Sequence, residues 1–516
     1  MSEIVNQSLQ KIAKGTGIVF IGTIIGMFLG FVSRVIIVRY TTQTEYGIYS
    51  LALVIISIFV TISTLGLSEG STRCIAYFRG KKEGGKVKGV ISSSLKIALI
   101  ASISLAAISF FSSDFISVSI FHTPALSTPL KIFAIAIPFT VLINVFIAIF
   151  RGFDRVDARV YFQNILRPVL YLLFLIAVVL FGLSFIGVVY AYVLSIAATC
   201  VVFVIYLMKK LPLSIRSGSS TTNPMTKELL FFSVPLLAVT ALQMIMSWTD
   251  TLMLGYFKTP DAVGVYNAAL PLANLLSTVI ASVGFLYIPV ISQLYGKNQM
   301  EELGRSYAIS TKWCFLGTLP IFFVLFLFPD VVLNLLFGSR YIGASVALQI
   351  LSFGYIFNSY FGTNYHTLIA VGKSKFIMHC HLASSVANII LNIFLIPPFG
   401  VNGAAIASAS AFAGVTILET IKLHKSSGLH PFTKTYLKIT ILSILTILGF
   451  YVILKMLLFI SYLTILIFLP LFLIIYGSLI IFTKSFDKED IGILIEIEKT
   501  SNINLTIIKK ILKKFM

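Results

Sequence analysis

Long apolar runs alternate with short polar segments along the whole chain. Fourteen of these runs reach about 20 residues, the length that a helix needs to cross a bilayer core about 30 Å thick. The pattern predicts an all-α polytopic membrane protein with about 14 transmembrane helices. The predicted spans cover residues 15–38, 46–67, 90–111, 130–150, 163–182, 185–208, 230–254, 265–293, 313–336, 344–370, 377–397, 402–423, 436–457 and 460–482.

The composition of the 516 residues excludes an ordinary soluble enzyme. Hydrophobic residues make up 58% of the chain and charged residues 11%, whereas soluble globular chains carry about 25% charge. The first apolar run is too long for the core of a signal peptide and lacks a small-residue cleavage site, so we expect it to remain as the first span. The four cysteines have no spacing that suggests disulfides.

Basic residues are distributed unevenly between the two sides of the predicted membrane. The net charge is +20, from 39 Lys and Arg against 19 Asp and Glu. If the N-terminus is cytoplasmic, most of the Lys and Arg fall in inward segments, which satisfies the positive-inside rule. We therefore expect a multi-pass plasma-membrane protein with both termini in the cytoplasm. The basic charge indicates topology, and nucleic acid is not an expected partner.

Polar segments divide the chain into five parts. Residues 211–227 predict a cytoplasmic linker between two six-helix bundles, 1–210 and 228–424. Two extra helices follow in 425–483. The tail, 484–516, ends in apolar residues interleaved with lysines, a pattern typical of an amphipathic helix on anionic cytoplasmic lipid.

Two stretches of the first bundle recur in the second. YTTQTEYGIYSLA (40–52) aligns with FKTPDAVGVYNAA (257–269) at an offset of 217 residues, and GVVYAYVLS (187–195) aligns with GVNGAAIAS (400–408) at an offset of 213. Two matches in the same order at nearly one offset indicate duplication. A repeat of six spans gives two halves of equal orientation, an arrangement common in transporters.

The stretches RYTTQTEYGIYSLA (39–52), WTDTLMLGYFKTPDAVGVYNAA (248–269) and PPFGVNGAAIAS (397–408) carry a family resemblance. They resemble the polysaccharide-transport branch of the multidrug/oligosaccharidyl-lipid/polysaccharide exporter superfamily. Thr41-Thr42 departs from the family pattern, which usually has Leu-Gly before the turn. The resemblance implies a V-shaped pair of six-helix bundles that alternates between inward-open and outward-open states.

The resemblance also implies the substrate and the partners. A polyprenyl-diphosphate-linked oligosaccharide would pass from the cytoplasmic to the outer leaflet for polysaccharide or glycan biosynthesis. Its sugar and diphosphate head would enter a central cavity while the polyprenyl tail stays in lipid. We expect the bilayer and glycan-assembly enzymes as further partners, a monomeric chain, and no cofactor beyond a coupling H⁺ or Na⁺.

Two alternative functions remain open. A multidrug or cation antiporter of the same superfamily would favour intramembrane acids, whereas the intramembrane charges here are Arg34 and Arg167 against Asp250. A membrane-embedded glycosyltransferase or polymerase generally needs acids or a sizeable loop on the outer face. The longest outward segment, about 112–128, is short, so we do not expect an enzyme.

Arg34 and Asp250 are the leading candidates for the substrate cavity. Placing a charged side chain at the centre of a membrane helix costs at least about 2.5–3.5 kcal/mol of insertion free energy. A charged residue at such a position is therefore a candidate for a functional role. The repeat offset places Asp250 opposite Ser33, one residue from Arg34. We expect Asp250 either to pair with Arg34 or to accept the coupling ion. The alternatives are an arginine that reaches the outer headgroups and a structural ion pair.

Further candidates lie at the inner ends of spans. Arg73, Arg151 and Arg167 would meet a lipid diphosphate first, although arginines there can also be topological anchors. Pro168 disfavours regular helix at Arg167. Asn267 and Asn364 offer neutral donors for sugar hydroxyls, or they join membrane helices.

Three other groups of polar residues receive structural interpretations. We expect Glu69 to pair with Arg73 at i, i+4, and Glu419 to form a helix-surface pair with Lys422. His379, Cys380 and His381 contain metal-ligand types, but neighbouring helical residues point about 100° apart and cannot converge on one ion.

Overall fold

The computed structural model describes residues 3–210, 225–456 and 462–482. Within these ranges every regular element is a helix and no strand occurs, so the predicted all-α class is confirmed. Most of the predicted linker 211–227 and the whole predicted tail 484–516 lie outside the described residues.

The chain divides into two compact units, Met1–Gly264 and Val265–Met516. The helices of the first unit are α1 (Glu3–Tyr40), α2 (Gln43–Thr64), α3 (Leu67–Gly80), α4 (Gly84–Phe115), α5 (Ser127–Ala134), α6 (Ala136–Gly152), α7 (Arg167–Leu180), α8 (Phe185–Lys210), α9 (Thr226–Phe257) and the start of α10 (Pro260–Gly296). Irregular helical segments lie between them: the π-helical Ile116–Ile120 and Arg159–Leu166, and the 3₁₀ turn Pro124–Leu126.

The second unit begins inside α10. Its further helices are α11 (Met300–Leu327), α12 (Pro329–Phe337), α13 (Ser345–Phe361), α14 (Asn364–Ala370), α15 (Ser374–Ser427), α16 (Lys434–Met456) and α17 (Tyr462–Phe482). A 3₁₀ segment, Ser339–Ala344, precedes α13.

The helices confirm a multi-pass membrane protein but not the predicted count of 14 spans. Among the described residues, 11 helices are long and apolar enough to cross a membrane, or 12 if the segments that meet at a 44° bend between α5 and α6 form one span. These helices expose many large apolar side chains, such as Phe111 at 81% and Leu180 at 78%. Such surfaces are stable against lipid rather than water.

One element, α15, covers two predicted spans. It has 54 residues, which would reach about 81 Å if straight, more than twice the thickness of a bilayer core. Gly400 interrupts it with φ 55° and ψ −126°, a conformation that glycine adopts without a steric clash. We call the helical segments before and after Gly400 the first and second arms of α15. They correspond to the predicted spans 377–397 and 402–423.

The polar turn between α1 and α2 is closed by Thr42. Its hydroxyl accepts a hydrogen bond from the Glu45 backbone N–H at 3.2 Å, and the Glu45 carboxylate accepts one from the Thr42 backbone N–H at 2.8 Å. This reciprocal capping satisfies two N–H groups that a helix end otherwise leaves without partners. The departure from the family pattern at this turn therefore provides a helix cap.

Equivalent turns of the two repeats meet within the first unit. The pairs of positions at the offset of 217 are Gln43 and Pro260, Thr44 and Asp261, Gly47 and Gly264. The Thr44 hydroxyl donates to Asp261 Oδ1 at 2.7 Å. A Cβ on Gly47 would lie 1.7 Å from the Pro260 carbonyl oxygen, and a Cβ on Gly264 would lie 2.3 Å from the Gln43 carbonyl oxygen. Reciprocal contacts of this kind arise from two-fold symmetry, so they support the duplication.

Helix α9 packs against the junction of α2 and α3. A Cβ on Gly66 would lie 2.0 Å from the Ser233 carbonyl oxygen, and a Cβ on Gly70 would lie 1.9 Å from Ser233 Oγ. Small residues allow helix backbones to approach this closely. Because of this packing, α9 belongs by its contacts to the first unit, and the boundary between the units lies later in the chain than the predicted linker.

The second unit has a buried core of its own. Tyr287 of α10, Tyr307 of α11 and Leu368 of α14 pack with residues from both arms of α15, among them Ile377 and Leu423. The Tyr287 hydroxyl also lies 2.8 Å from Thr367 Oγ1. This core fixes α14 between the neighbouring helices and holds the two arms of α15 together.

Candidate functional site

Tyrosines from α2, α7 and α8 form a polar centre within the first unit. We define the tyrosine cluster as Tyr46, Tyr49, Tyr171 and Tyr192. The hydroxyls of Tyr49 and Tyr171 lie 2.7 Å apart, and the rings of Tyr171 and Tyr192 meet edge to face with centroids 5.4 Å apart. Tyr46 stacks on Tyr49 at 6.5 Å. The cluster therefore offers hydrogen-bonding groups in apolar surroundings without adding charge.

Arg167 lies at one end of the tyrosine cluster. Its Nη2 donates to the Tyr192 hydroxyl at 2.7 Å, and its guanidinium carbon lies 5.3 Å from the Tyr192 ring centroid. The side chain is partly buried, and among the described residues no carboxylate pairs with it. A neutral partner leaves the positive charge of Arg167 uncompensated, so this group can attract an anion.

The irregular helix lies directly before Arg167 rather than at it, because Arg167 itself has α-helical dihedrals of φ −60° and ψ −50°. The π-helical segment Arg159–Leu166 runs directly into α7, which begins at Arg167 with Pro168 in its first turn. Proline lacks a backbone N–H, so Pro168 cannot donate the regular helical hydrogen bond to the carbonyl group four residues earlier. π-Helical turns of this kind often accompany functional sites.

Arg34 lies near the other end of the tyrosine cluster. It is partly buried on α1 and close enough to Tyr46 to act on it electrostatically. The structure therefore associates two of the predicted cavity residues, Arg34 and Arg167, with one tyrosine cluster. Asp250 is 9% exposed on α9 in the same unit. Its pairing with Arg34 stays a prediction.

A small cavity lies beside α3 and α6. Its volume is about 120 Å³, and it is lined by Ser68, Asn144, Ile147, Ala148, Arg151, Arg159 and Gln163. We call it the arginine pocket. Two guanidinium groups and two side-chain amides face one small space, which is the donor chemistry that a phosphate group requires.

Arg151 is held in place at the arginine pocket. Its Nε donates to Thr72 Oγ1 at 3.0 Å, and its Nη2 donates to the Ser68 carbonyl oxygen at 3.1 Å and to Glu69 Oε2 at 2.6 Å. The predicted pairing of Glu69 with Arg73 is therefore wrong. The packing of α6 on α3 brings Arg151 to Glu69, whereas the Arg73 guanidinium lies 4.0 Å from the centroid of the Phe232 ring on α9.

Arg159 is a candidate that the sequence reasoning did not single out. It lines the arginine pocket at the first position of the π-helical segment, is exposed, and has no carboxylate partner among the described residues. The nearby Arg155 differs, because its hydrogen bonds to Asp157 and Tyr206 already occupy it. The bond to Asp157 raises the pKa of Arg155. The run of arginines after α6 was the available signal, but it could not show which one was unpaired.

The two predicted asparagines belong to the second unit. Asn267 is 7% exposed on α10. Asn364 is fully buried, and its Nδ2 donates to the Thr416 carbonyl oxygen and to Thr420 Oγ1, both at 3.1 Å. The structure thus shows Asn364 joining α14 to the second arm of α15. Sugar binding by either asparagine stays a prediction.

The expected surface pair of Glu419 and Lys422 is also wrong. Glu419 is 1% exposed, and its Oε1 lies 3.4 Å from His381 Nε2. The Lys422 ammonium instead lies 5.2 Å from the Phe376 ring centroid. The two arms of α15 pack face to face, so the side of the helix that carries Glu419 is buried.

Two family models match the chain. The model described as "Polysaccharide biosynthesis protein" matches residues 12–295, more than half of the chain, and the model described as MatE matches residues 235–394. The first match includes the tyrosine cluster and the arginine pocket.

Two curated relatives match parts of the chain. An uncharacterized membrane protein of Methanocaldococcus jannaschii is 29% identical over 206 residues, which cover 40% of this chain and 41% of the relative. The probable low-salt glycan biosynthesis flippase Agl15 of Haloferax volcanii is 31% identical over 173 residues, which cover 34% of this chain and 37% of the relative. The chain therefore spans less than half the length of both relatives.

A solved structure shares the fold over most of its length. The lipid II flippase MurJ in an inward closed conformation superimposes with a TM-score of 0.71 at 17% sequence identity, covering 89% of this chain and 97% of that one. At this sequence identity the similarity shows a common fold and does not indicate the substrate.

Proposed function

Because the chain belongs to the polysaccharide biosynthesis protein family of the multidrug/oligosaccharidyl-lipid/polysaccharide exporter superfamily, we propose that it is a lipid-linked glycan flippase. Its substrate is a polyprenyl-diphosphate-linked oligosaccharide, moved from the cytoplasmic to the outer leaflet by alternating access. The relative Agl15 is named as a glycan biosynthesis flippase, which supports this class of substrate.

The observation that carries the proposal is the set of arginines without acid partners in the first unit. Arg159 lines the arginine pocket, and Arg167 is bound only to the phenol of Tyr192 in the described part of the chain. A diphosphate needs such cations, because its charge must be compensated before it leaves water. Tyr171 and Tyr192 of the tyrosine cluster are partly exposed beside Arg167 and would offer ring faces to sugars, whereas Tyr46 and Tyr49 are buried.

The order in which the substrate would contact the arginines follows from the distribution of basic residues along the chain. The arginine pocket lies at the end of α3 and α6 that the basic residues predict to be cytoplasmic. The diphosphate would therefore meet Arg151 and Arg159 first, and Arg34 and Arg167 afterwards. Glu69 holds the Arg151 guanidinium and leaves Arg159 as the stronger attraction for an incoming anion.

A cation antiporter is the second candidate, and the match of residues 235–394 to the MatE model favours it. A cationic drug would need a carboxylate without a cationic partner in the substrate path. Glu69, next to the arginine pocket, is paired with Arg151, which weighs against this function. The chemistry of a membrane glycosyltransferase or polymerase has no counterpart in these relatives, and the chain is a transporter rather than an enzyme.

The setting of the flippase is part of the proposal. The chain acts as a monomer in the plasma membrane with both termini in the cytoplasm, next to the enzymes that assemble and consume the lipid-linked glycan. A gradient of H⁺ or Na⁺ drives the cycle, and no other cofactor takes part.

Reconstitution tests this function. Purified protein in liposomes receives a fluorescent polyprenyl-diphosphate oligosaccharide, and arrival of the sugar at the opposite leaflet is read by an impermeant quencher. We expect Arg159→Gln to lower the initial rate roughly 10-fold or more, because a hydrogen bond to a charged group contributes about 1.5–3 kcal/mol.

The matched control is Arg305→Gln. Arg305 is an exposed arginine whose partner, Glu301, lies one helical turn away at 2.8 Å, so its loss should leave the rate unchanged. Equal rates for Arg159→Gln and wild type would contradict a role for the arginine pocket. Transport of a cationic dye without movement of the lipid-linked sugar would replace the proposal with the antiporter.

A further inference from the structure

A carboxylate and an imidazole face each other between the arms of α15. His381 and Glu419 lie nineteen residues before and after Gly400, so both side chains lie at a similar depth from the turn. Glu419 Oε1 is 3.4 Å from His381 Nε2, with 2% of the Glu419 side chain and 33% of the His381 side chain exposed. The described residues offer no hydrogen-bond partner to either of these two atoms.

The groups around this pair are mostly neutral. The Tyr365 ring of α14 meets the His381 ring edge to face at 5.7 Å. Asn364 and Thr420 hydrogen-bond to each other beside Glu419. Tyr307 of α11, Tyr365 of α14 and Cys380 of α15 lie close enough to Glu419 to interact with it electrostatically. The same helices also carry His366, Lys422 and the buried Lys312, and the Lys422 ammonium lies against the Phe376 ring. In the described residues, no lysine or arginine forms an ion pair with Glu419.

A buried carboxylate with an imidazole as its partner favours one bound proton. The pair is electrically neutral either as carboxylic acid with neutral imidazole or as carboxylate with imidazolium. Removal of that proton leaves an uncompensated carboxylate in the apolar interior, which is strongly unfavourable. In either neutral form the two groups hold one proton between them, so the proton is assigned to the pair rather than to either residue.

We propose that Glu419 and His381 form a proton-binding site in the second unit, occupied while the two arms of α15 pack together. Release of the proton requires water to reach Glu419, and hence separation of α14 or of one arm from the other. Its use as the coupling step of transport rests on the proposed flippase function, but the proton site itself does not.

The oxygen atoms nearby favour a proton over a sodium ion. The amide oxygen of Asn364 accepts from the Tyr365 backbone N–H at 2.7 Å, and the Thr416 carbonyl oxygen accepts from Asn364 and from Thr420 Oγ1. These oxygens are already used in hydrogen bonds. The imidazole contributes a nitrogen that binds a proton readily, whereas hard cations are coordinated by several oxygen ligands.

Infrared spectroscopy of the purified full-length protein tests the site without transport. At pH 8, where isolated carboxyl and imidazole side chains have both lost their protons, wild type should show either a protonated carboxyl or an imidazolium signal, the latter identified by labelled histidine. Glu419→Gln should lose this signal. Glu301→Gln, at an exposed glutamate, is the matched control and should retain it.

A wild-type spectrum at pH 8 that shows only carboxylate and neutral imidazole would overturn the proposal. A signal that disappears when Na⁺ is added would replace the proton with a sodium ion. If Glu419→Gln does not fold, His381→Gln is the second variant, and its spectrum should change only in the signal assigned to the pair.

The coupling step has a separate test in liposomes. With a pH gradient and no membrane potential, wild type should flip the lipid-linked sugar faster than without the gradient, whereas Glu419→Gln should show the same rate in both conditions. A variant that still responds to the gradient would exclude this pair as the coupling site. No transport by wild type in any condition would refute the flippase function and leave the infrared result intact.

Discussion

Three intramembrane arginines of the first unit differ in burial from two intramembrane charges of the second unit. In the first unit, Arg34, Arg151 and Arg167 are all partly exposed, and Arg167 is bound to a phenol rather than to an acid. In the second unit, Lys312 is 2% exposed and Glu419 is 1% exposed. A charged side chain that is partly exposed and has a neutral partner can exchange that partner for a ligand. A fully buried charged side chain can interact only with the residues packed around it. The difference underlies our proposals of anion binding in the first unit and proton binding in the second.

Substitution of Arg167 is expected to have the largest effect on transport and is the strongest test of this comparison. We expect Arg167→Gln to lower the initial rate of flipping about 10- to 100-fold, because a charge-assisted hydrogen bond to a diphosphate contributes about 1.5–3 kcal/mol. Arg167→Lys should recover only part of the rate, since lysine lacks the planar group that lies on Tyr192. The measurement is the same quencher assay in liposomes. A normal rate in Arg167→Gln would contradict the proposal that the first unit binds the anion through Arg167.

A second test concerns the contact between the repeats. Gly47→Ala and Gly264→Ala each place a Cβ within 2.3 Å or less of a backbone oxygen in the opposite turn. We expect each to lower the free energy of unfolding by about 1–3 kcal/mol, by similar amounts because the two contacts are equivalent. Thermal unfolding in detergent measures this.

Gly30→Ala is the control for that test. No atom lies within 4 Å of a Cβ at Gly30, so alanine there should be neutral or stabilise α1 by up to about 1 kcal/mol. If Gly47→Ala and Gly264→Ala lowered the free energy of unfolding by very different amounts, the interpretation of the two turn contacts as equivalent by symmetry would be wrong.

The smallest effect separates a hydrogen bond in the tyrosine cluster from a similar one in the second unit. Tyr49→Phe removes the contact with Tyr171, and Tyr476→Phe removes the 2.6 Å contact with Ser443 between α16 and α17. Each should reduce stability by about 0.5–1.5 kcal/mol. Only Tyr49→Phe should also slow transport, because only that hydroxyl belongs to the cluster beside Arg167. Equal transport by both variants would mean that the tyrosine cluster is structural.

Some local features of the structure follow from neighbouring residues alone. The irregular helix directly before Arg167 is consistent with Pro168, because the missing N–H of proline affects only the preceding turn. The capping role of Thr42 is also encoded locally, in the Thr-x-x-Glu spacing that reaches Glu45. These features depend on residues within one or two helical turns.

Features that depend on contacts between helices could not be predicted in the same way. Glu69 has a basic residue one turn away on its own helix, yet it binds Arg151 of α6. Glu419 has Lys422 in a similar position, yet it faces His381 across the turn at Gly400. In both cases the spacing along one helix permitted a pair, and the orientation of that helix against its neighbour selected another.

The sequence by itself determined that the chain is an all-helical membrane protein that resembles polysaccharide transporters, and it indicated a duplication. These properties depend on the length of apolar runs, on the distribution of charge and on matching stretches, all of which are defined by the order of residues along the chain. The tertiary structure alone decided which charges are compensated. Arg159 and Arg155 are four residues apart and chemically alike, yet one lines a pocket and the other is bound to Asp157. Compensation depends on distances of a few ångströms between side chains on different elements, and only the packed structure defines those distances.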